Sequence, residues 1–439
     1  MNKEKIAVIG FGYIGTVIGA VFAERGYEVY GVDPSQHIVQ TILSGKSPFN
    51  EPGLDELIAR HVNGKNLYIS SDPITAKDCS TYIITVGTPL ADDFTADMSQ
   101  IQAAVKGILP YLSDGHLLIL KSTVPPFTTS KYIDTMLKEA GLNIKLAFCP
   151  ERLAEGNAIK DFLSIPVVVG GVNDISTEAA AAFWEKLGVE VIRVGNSTVA
   201  ELVKLADNLW IDLNIALAGE LAKLADKMSV DILQVIQAAN SLPKGSSRVN
   251  ILMPSVGVGG YCLTKDPWFV QNLGKKNGLE LLLPKTGRII NDSMPNYSVG
   301  LIDKILQEKG KQRSDQKIAI IGIAFKNNTG DCRFSPVKPC IDKLIEIGYN
   351  VHICDPLTSE FDDLMVTDRL VEKDVYKTMA NADCVAFLAG HSVFHKIPII
   401  DIAKTVNPGA LIFDGRMFFN REKISEITNA GLIYKGVGR

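Results

Sequence analysis

The segment GVGGYCLTKD, residues 257–266, has side chains that could react covalently with a substrate. It places Cys262 after a glycine-rich bend and ahead of Lys265 and Asp266. Glycine lets a ligand approach the backbone closely, and a neighbouring ammonium group favours the nucleophilic thiolate. The segment therefore predicts a reactive thiol. The alternative is a buried cysteine beside a tight turn, because free cysteine is often a core residue.

Residues 5–33 follow the order strand, turn, helix, strand and acid, which is typical of a dinucleotide site. Gly10, Gly12 and Gly15 have GxGxxG spacing after an apolar run, and the second strand ends at Asp33. The glycines allow a tight turn, a close pyrophosphate and close helix packing, while the acid accepts hydrogen bonds from an adenosine ribose. Asp33 would repel a 2′-phosphate and no arginine follows it at once, so the pattern favours NAD over NADP.

Composition restricts the class of protein. The chain has 439 residues, of which 46% are hydrophobic, and a net charge of −4. This length predicts roughly two to three domains, and the absence of long charged runs argues against nucleic acid or a membrane surface as partner. The seven cysteines lack CxxC spacing, which argues against a disulfide framework or a zinc ribbon. We therefore expect a cytoplasmic protein without a metal site.

Strand-like and helix-like segments alternate through the first half of the chain, which indicates a mostly parallel sheet covered by helices. After the first two strands, further strands are predicted at residues 80–86, 116–120, 145–148, 166–169 and 190–194. Ligands of such sheets lie at the carboxyl ends of the strands. Thr88, Thr123 and Glu151 follow three of these ends and are therefore candidate site residues.

A run of nearly thirty residues from about Thr198 has helical periodicity and no proline, which predicts one long helix. Ser197 or Thr198 could be its N-cap, with Glu201 completing a capping box. Lys204 and Asn208 are four residues apart and share one face, and their apolar neighbours favour a cleft over a solvated face. A helix of this length usually bridges domains or packs on a partner copy, so we expect a homodimer or higher homo-oligomer.

A second α/β unit begins at Lys317 and lacks the full glycine set of the first. Its predicted loops contain Lys326, Arg333 and Arg416, cations that suit a ligand with phosphates. We predict an α/β fold with two doubly wound Rossmann-like domains joined by a long central helix and a helical dimerisation region. The predicted domains are residues 1–196, which bind NAD, residues 197–298, which contain the catalytic cysteine, and residues 299–439, which bind the nucleotide sugar.

Six ordered motifs, spread over essentially the whole chain, resemble those of the nucleotide-sugar 6-dehydrogenases. They are GFGYIG at 10–15, KSTVPP at 121–126, PERLAEG at 150–156, KLADN at 204–208, GVGGYCLTKDP at 257–267 and AFKNNTGDCRFSP at 324–336. The family includes UDP-glucose, GDP-mannose and UDP-N-acetylhexosamine dehydrogenases. The resemblance implies a four-electron oxidation of the sugar C6 alcohol to a carboxylate, with two NAD+ used in succession, and a helical dimer interface.

The resemblance also implies the site residues. The cofactor would contact Gly10, Gly12, Tyr13, Ile14, Gly15, Asp33, Thr88, Thr123, Glu155, Lys265 and Arg333. The UDP-sugar would contact Glu151, Arg152, Leu153, Lys204, Asn208, Arg248, Asn250, Gly259, Lys326 and Arg416. By the same resemblance, Glu151 activates a water, Thr123 helps to place it, and Asn208 orients the C6 oxygen.

The residue types themselves suit this chemistry. Lys204, with Asp266 and ordered water, can stabilise the oxyanion that develops as the alcohol loses hydride. Cys262 can add to the aldehyde and form a thiohemiacetal, which after a second hydride loss becomes a thioester. A simple hydroxyacid dehydrogenase, with one hydride transfer, would need no cysteine. A non-catalytic nucleotide-sugar sensor is a second alternative, against which the intact Cys262, Lys204 and Glu151 argue.

The substrate is indicated by departures from the glucose-type pattern. UDP-glucose enzymes usually have PEFLREG, whereas this chain has Arg152 and Ala154 at the differing positions. Arg248 to Asn250 also resemble the RVN pattern of the N-acetylhexosamine branch, although Tyr261 replaces that branch's usual histidine. We therefore expect a UDP-N-acetylhexosamine, with the mannosamine epimer first and UDP-glucose as the alternative.

Overall fold

The structure is a computed structural model that describes residues 3–242 and 249–439. Its contacts divide the chain into two compact units, each with one mainly parallel sheet. Unit 1 comprises the residues up to Asp207 together with Trp268–Glu280, and unit 2 comprises Asn208–Pro267 and Leu281–Arg439. The predicted fold class, with two doubly wound Rossmann-like domains, is confirmed. The division at residues 197 and 299 stays a prediction.

Unit 1 alternates strands and helices in the order typical of a dinucleotide-binding domain. Its elements are β1 (Lys5–Ile9), α1 (Tyr13–Glu24), β2 (Glu28–Val32), α2 (Gln36–Leu43), α3 (Leu54–Asn63), β3 (Leu67–Ser70), β4 (Thr81–Ile84), α4 (Ser99–Ile108), β5 (Leu117–Leu120), α5 (Asp134–Glu139), β6 (Lys145–Phe148), α6 (Ala158–Ser164), β7 (Val167–Gly171), α7 (Asp174–Glu185) and β8 (Val191–Arg193). The sheet order is β3-β2-β1-β4-β5-β6-β7-β8, and only the β6–β7 pair is antiparallel. Helices cover both faces, so the central strands β4 and β5 are wholly buried, and every residue of β5 is apolar.

Unit 2 has a smaller sheet of the same type. The helices that precede this sheet are α8 (Ser197–Met228), which begins in unit 1, α9 (Ile232–Asn240), α10 (Asp266–Lys276), which lies mostly in unit 1, and α11 (Leu282–Gln307). They are followed by β9 (Lys317–Ile321), α12 (Val337–Glu346), β10 (Asn350–Cys354), α13 (Glu360–Val366), β11 (Val371–Glu372), α14 (Val375–Met379), β12 (Cys384–Phe387), α15 (Ile399–Thr405), β13 (Leu411–Asp414), α16 (Arg421–Asn429) and β14 (Ile433–Gly436). The sheet order is β11-β10-β9-β12-β13-β14, and every pair is parallel.

The start of α8 differs from the predicted capping box. The Asn196 side chain accepts a hydrogen bond from the Val199 N–H at 3.0 Å. Glu201 instead accepts from the Phe127 and Thr129 N–H groups, both at 2.7 Å. Burial raises the pKa of Glu201 to about 7, although these hydrogen bonds oppose the shift. The predicted capping box is wrong because the Glu201 carboxylate binds the backbone N–H groups of Phe127 and Thr129 instead.

Within residues 3–242 and 249–439, no helix is both long and apolar enough to span a membrane.

Candidate active site

The glycine turn between β1 and α1 fits a dinucleotide. Gly10 has a φ of +91°, and a side chain on Gly15 would lie 2.0 Å from the Gly10 carbonyl oxygen, so both positions require glycine. A Cβ on Gly12 would meet nothing within 4 Å. Among the described residues, no side chain caps the N-terminus of α1. This open, uncapped helix end is therefore suited to a pyrophosphate.

Asp33 lies where β2 ends, as the ribose position requires. Its carboxylate accepts hydrogen bonds from the Phe11 N–H at 2.7 Å and the Ser35 N–H at 2.9 Å. Each carboxylate oxygen can accept a further hydrogen bond, so these contacts fix the carboxylate without using its full capacity. The residues present therefore fit NAD.

Tyr13, the first residue of α1, is held by a carboxylate that was not predicted from the sequence. Its hydroxyl donates to Glu51 at 2.5 Å, and Glu51 also accepts from the Gly156 and Ala158 N–H groups at 2.7 and 2.8 Å. Burial, and then the hydrogen bond to Glu51, raise the pKa of Tyr13. Glu51 thus joins the dinucleotide turn to the loop that contains Glu155.

The loops after β4 and β5 are tied to each other at the carboxyl edge of the unit 1 sheet. The Thr88 hydroxyl donates to the Thr123 carbonyl oxygen at 2.6 Å, and the Ser122 hydroxyl donates to the Val86 carbonyl oxygen at 2.7 Å. Glu151 follows β6 at the same edge. The structure therefore brings together the three strand ends from which Thr88, Thr123 and Glu151 were predicted.

Glu151 is largely buried, and its two oxygens have different surroundings. Oε1 accepts from the Arg152 and Leu153 N–H groups, both at 2.7 Å. Oε2 lies 3.3 Å from the Lys121 ammonium. That distance is within ion-pair reach, but the geometry is not that of a hydrogen bond, and no other described residue donates to Oε2.

Cys262 is the exposed member of the seven cysteines, and the other six are buried. Burial raises the pKa of the other six thiols, to about 11 for Cys149 and about 12 for Cys79 and Cys354, so they stay protonated at neutral pH. Accessibility, which a nucleophile needs, thus distinguishes Cys262.

A buried polar network follows Cys262 in unit 2. Asp266 is fully buried and accepts from the Lys265 ammonium at 2.7 Å and from the Asn208 amide at 2.5 Å. Lys265 also lies over the Tyr261 ring, 5.4 Å from its centroid. The Asp266 N–H donates to the Cys262 carbonyl oxygen at 2.8 Å. The network therefore fixes the turn on which the thiol is placed.

The glycine bend before Cys262 packs tightly against the 324–336 loop. A Cβ on Gly259 would lie 2.6 Å from Cβ of Phe325, and the Gly260 N–H donates to the Arg333 carbonyl oxygen at 3.0 Å. A side chain at position 259 would therefore collide with this loop, which requires glycine there, and the predicted substrate contact of Gly259 stays a prediction. The fully buried Arg288 of α11 donates to the Leu263 carbonyl oxygen at 3.2 Å and supports the turn from another side.

The three cations predicted in the C-terminal loops have different environments. Arg416 donates to the carbonyl oxygens of Leu388 at 2.7 Å and Phe325 at 3.1 Å, and burial lowers its pKa to about 10. Arg333 forms an ion pair with Asp331. Lys326 lies in the 324–336 loop, as Arg333 does, and is partly buried. The guanidinium groups of Arg416 and Arg333 thus both have partners within the protein.

The remaining predicted residues are placed as follows. The Arg152 guanidinium lies 3.4 Å from the Asp207 carboxylate and 3.5 Å from the Pro166 carbonyl oxygen. Lys204 lies on α8 one turn before Asn208 and is partly buried. The Asn250 carbonyl oxygen accepts from Asn214 at 2.6 Å. Ile14 and Leu153 pack on the core of unit 1. Arg248 lies outside the described residues.

Lys121, Glu51 and Arg288 were missed as functional candidates. Lys121 had a usable signal, because a lysine that directly follows a wholly apolar strand must either reach solvent or find a buried partner. Glu51 and Arg288 had none, since their partners lie 105 and 25 residues away along the chain. Among the described residues, no group of three or more His, Cys, Asp and Glu is placed to hold a metal ion.

The glycine turn, the acid after β2 and the exposed thiol define a Rossmann-type oxidoreductase. Comparison with known proteins identifies the family. Models of the UDP-glucose/GDP-mannose dehydrogenase family match residues 4–188 (NAD binding domain), 198–293 (central domain) and 319–421 (UDP binding domain). The chain belongs to this family, as the six motifs implied, and is an NAD-dependent nucleotide-sugar dehydrogenase.

Individual relatives cover nearly the whole chain. A UDP-N-acetyl-D-mannosamine dehydrogenase from Methanococcus aeolicus is 37% identical over 402 residues, 91% of this chain and 87% of that protein. The structure of a UDP-D-ManNAc dehydrogenase from Pyrococcus horikoshii superposes with a TM-score of 0.89 at 30% identity, covering 99% of both chains. The structure of a UDP-glucose dehydrogenase from Pyrobaculum islandicum superposes with a TM-score of 0.88 at 28% identity, covering 100% of this chain and 98% of that chain.

Proposed function

We propose that the protein oxidises the C6 alcohol of a UDP-N-acetylhexosamine to the uronic acid, with UDP-N-acetylmannosamine as the first candidate and UDP-glucose as the alternative. The observation that carries the proposal is the exposed Cys262 beside the buried network of Asn208, Lys265 and Asp266. A single alcohol oxidation needs no thiol, whereas oxidation to the acid level uses one. The exposed cysteine therefore favours the four-electron reaction over a single hydride transfer.

In the first oxidation, Lys204 and Asn208 hold the C6 oxygen, since they lie one turn apart on α8. Lys204, with Asp266 and water, stabilises the negative charge that develops on that oxygen as its proton leaves. NAD+, when bound, accepts the hydride of each of the two oxidations. The Asp33 carboxylate would repel the 2′-phosphate of NADP, so it supports NAD as the cofactor.

In the second oxidation, the Cys262 thiolate adds to the aldehyde carbon, and a proton goes to the former carbonyl oxygen to give a thiohemiacetal. Loss of that proton and of a hydride leaves a thioester. Glu151 then takes a proton from water as the water oxygen bonds to the C6 carbon. The C–S bond breaks, Sγ leaves as the thiolate, and the resulting acid loses its remaining proton to solvent and is released as the carboxylate.

Substrate choice is supported by two independent observations. The Methanococcus and Pyrococcus relatives are named for UDP-N-acetylmannosamine. Arg152 replaces the phenylalanine usual in glucose-type enzymes and can donate to an N-acetyl carbonyl oxygen through the N–H groups that Asp207 leaves over. Arg248, which is outside the described residues, is proposed as a second donor.

A panel of UDP- and GDP-sugars tests the proposal directly. We expect UDP-N-acetylmannosamine or another UDP-N-acetylhexosamine to have a kcat/KM about 10- to 100-fold above UDP-glucose, since a donor that the bound sugar buries and leaves unpaired costs ~1–3 kcal/mol. Each sugar should yield two NADH. One NADH per sugar would indicate a simple dehydrogenase, and binding without NADH would indicate a sensor.

The Arg152→Phe variant should reduce the difference in kcat/KM between the N-acetylated sugar and UDP-glucose, because it removes a donor that only the N-acetyl group can use. The measurement is kcat/KM for both sugars in both proteins. Asp207→Asn is the matched control, since it breaks the same ion pair and keeps the guanidinium. Equal or greater efficiency with UDP-glucose in the parent protein would contradict the N-acetyl assignment.

We further propose a homodimer. Trp210, Leu217 and Leu224 recur every seven residues on α8 and are 51%, 48% and 56% exposed, which places an apolar stripe on one face of the helix. Light scattering after gel filtration should give the mass of two chains. Leu217→Glu should shift it to one chain, whereas Lys227→Glu, on the same helix, should not. A parent protein of monomer mass would refute the proposal.

A further inference from the structure

Lys121 is a buried lysine to which the proposed mechanism assigns no role. It follows β5 directly, and only 5% of its surface is exposed. A buried ammonium group is costly unless it is paired. The groups that pair with it should therefore show what it does.

Three groups surround the Lys121 ammonium. Nζ lies 3.3 Å from Oε2 of Glu151, 3.4 Å from the Cys149 carbonyl oxygen and 4.9 Å from the centre of the Trp184 ring. The Trp184 N–H donates to Sγ of Cys149 at 3.3 Å, which fixes the ring beneath the ammonium. The ammonium is thus held on an aromatic platform and faces one carboxylate oxygen.

The Glu151 carboxylate has one oxygen in use and one available. Two backbone N–H groups hold Oε1, whereas Oε2 faces the ammonium without a hydrogen bond from a described residue. Oε2 is therefore the oxygen that can take a proton from water.

We propose that Lys121 is a positioning residue that directs Oε2 of Glu151 toward the hydrolytic water. The inference rests on the proposed role of Glu151 in thioester hydrolysis. It assigns Lys121 to the last step alone, because its contacts are with Glu151 and the Cys149–Trp184 platform. Lys121 itself neither gives nor takes a proton.

Other charged groups near Glu151 are already engaged. Arg152 pairs with Asp207, and Asp161 accepts from the Ala154 N–H at 3.2 Å. Burial raises the pKa of Cys149 to about 11, so this thiol is neutral at neutral pH. Among the described residues, Lys121 is therefore the cation whose removal should affect the position of Glu151 Oε2 most.

The test separates thioester formation from hydrolysis. Lys121→Met removes the charge and keeps an unbranched side chain, and Lys121→Gln is a second uncharged variant. In a single turnover with UDP-N-acetylmannosamine, thioester formation should stay within about twofold of the parent, while hydrolysis at pH 7 falls about 10- to 100-fold. Intact-mass spectrometry measures the amount of thioester on Cys262 and its loss by hydrolysis. NADH absorbance measures the rate of thioester formation.

A variant that keeps the positive charge provides a readout that a purely structural role would not give. Lys121→Arg retains a cation beside Glu151, so it should hydrolyse the thioester faster than Lys121→Met and Lys121→Gln, and equal rates in the three variants would contradict the role. Lys131→Met is the matched control, because its exposed ammonium lies over the Phe127 ring at 4.3 Å and has no carboxylate partner in that contact. It should hydrolyse the thioester at the parental rate.

The outcomes are distinguishable. Parental hydrolysis in Lys121→Met and Lys121→Gln, or equal loss of both steps, would overturn the inference. Glu151→Gln is measured in parallel. If Glu151→Gln hydrolyses the thioester at the parental rate, the proposed role of Glu151 fails. If the thioester adduct accumulates in Glu151→Gln but not in the Lys121 variants, only the role of Lys121 is refuted.

Discussion

Cys262→Ser should abolish uronic acid formation while NAD+ and UDP-sugar binding persist. A serine hydroxyl is a much weaker nucleophile than a thiolate at neutral pH, so the loss in turnover should be on the order of 10³-fold or more. Binding should persist because the substitution exchanges one side-chain atom and keeps the backbone hydrogen bond from the Asp266 N–H to the carbonyl oxygen of residue 262. Chromatography of the products measures the uronic acid, and calorimetry measures both affinities.

Thiol labelling provides the control for this variant. Iodoacetamide should modify the native parent protein once, at Cys262, because the six other thiols are buried. The serine variant should take no label under the same conditions. Uronic acid formation near the parental rate in Cys262→Ser would show that the nucleophile assignment is wrong.

The dinucleotide turn could be predicted from the sequence because its requirements are local. Gly10 needs a positive φ and Gly15 needs close packing, and both conditions are met within one strand, turn and helix. The acid at Asp33 follows at the next strand end. Spacing along the chain therefore specifies this part of the structure almost completely.

The strands that sequence reasoning missed are short or partly exposed. β3 has an exposed residue between two buried ones, β11 has two residues, and β14 is partly exposed at the sheet edge. Such strands lack the continuous apolar run by which β4 and β5 were predicted. Their position depends on pairing with a neighbour, which no local pattern shows.

The contacts that hold the candidate catalytic groups were the hardest part to predict. Glu201 was expected to cap its own helix, yet it binds Thr129, 72 residues away along the chain. Lys121 and Glu151 meet because β5 and β6 are neighbours in the sheet. The sequence indicates which side chains have useful chemistry, whereas the tertiary structure decides which partner holds each of them.

Glu151→Gln should stop the reaction after acylation and trap the sugar on Cys262. The amide oxygen can still accept from the Arg152 and Leu153 N–H groups, so the loop should keep its structure. The amide nitrogen then replaces Oε2 and donates where a base must accept. Hydrolysis should therefore slow by about 10²- to 10⁴-fold, the usual contribution of a general base.

Intact-mass spectrometry after incubation with the UDP-sugar and excess NAD+ should show one acyl adduct per chain, and NADH should rise by two per active site and then stop. The double variant Glu151→Gln/Cys262→Ser should show no adduct, which would place the trapped group on the thiol. An unmodified Glu151→Gln protein that continues to release NADH would contradict the hydrolytic role. One that releases no NADH would instead assign Glu151 to the oxidations, because a base used only for hydrolysis is not needed before the thioester exists.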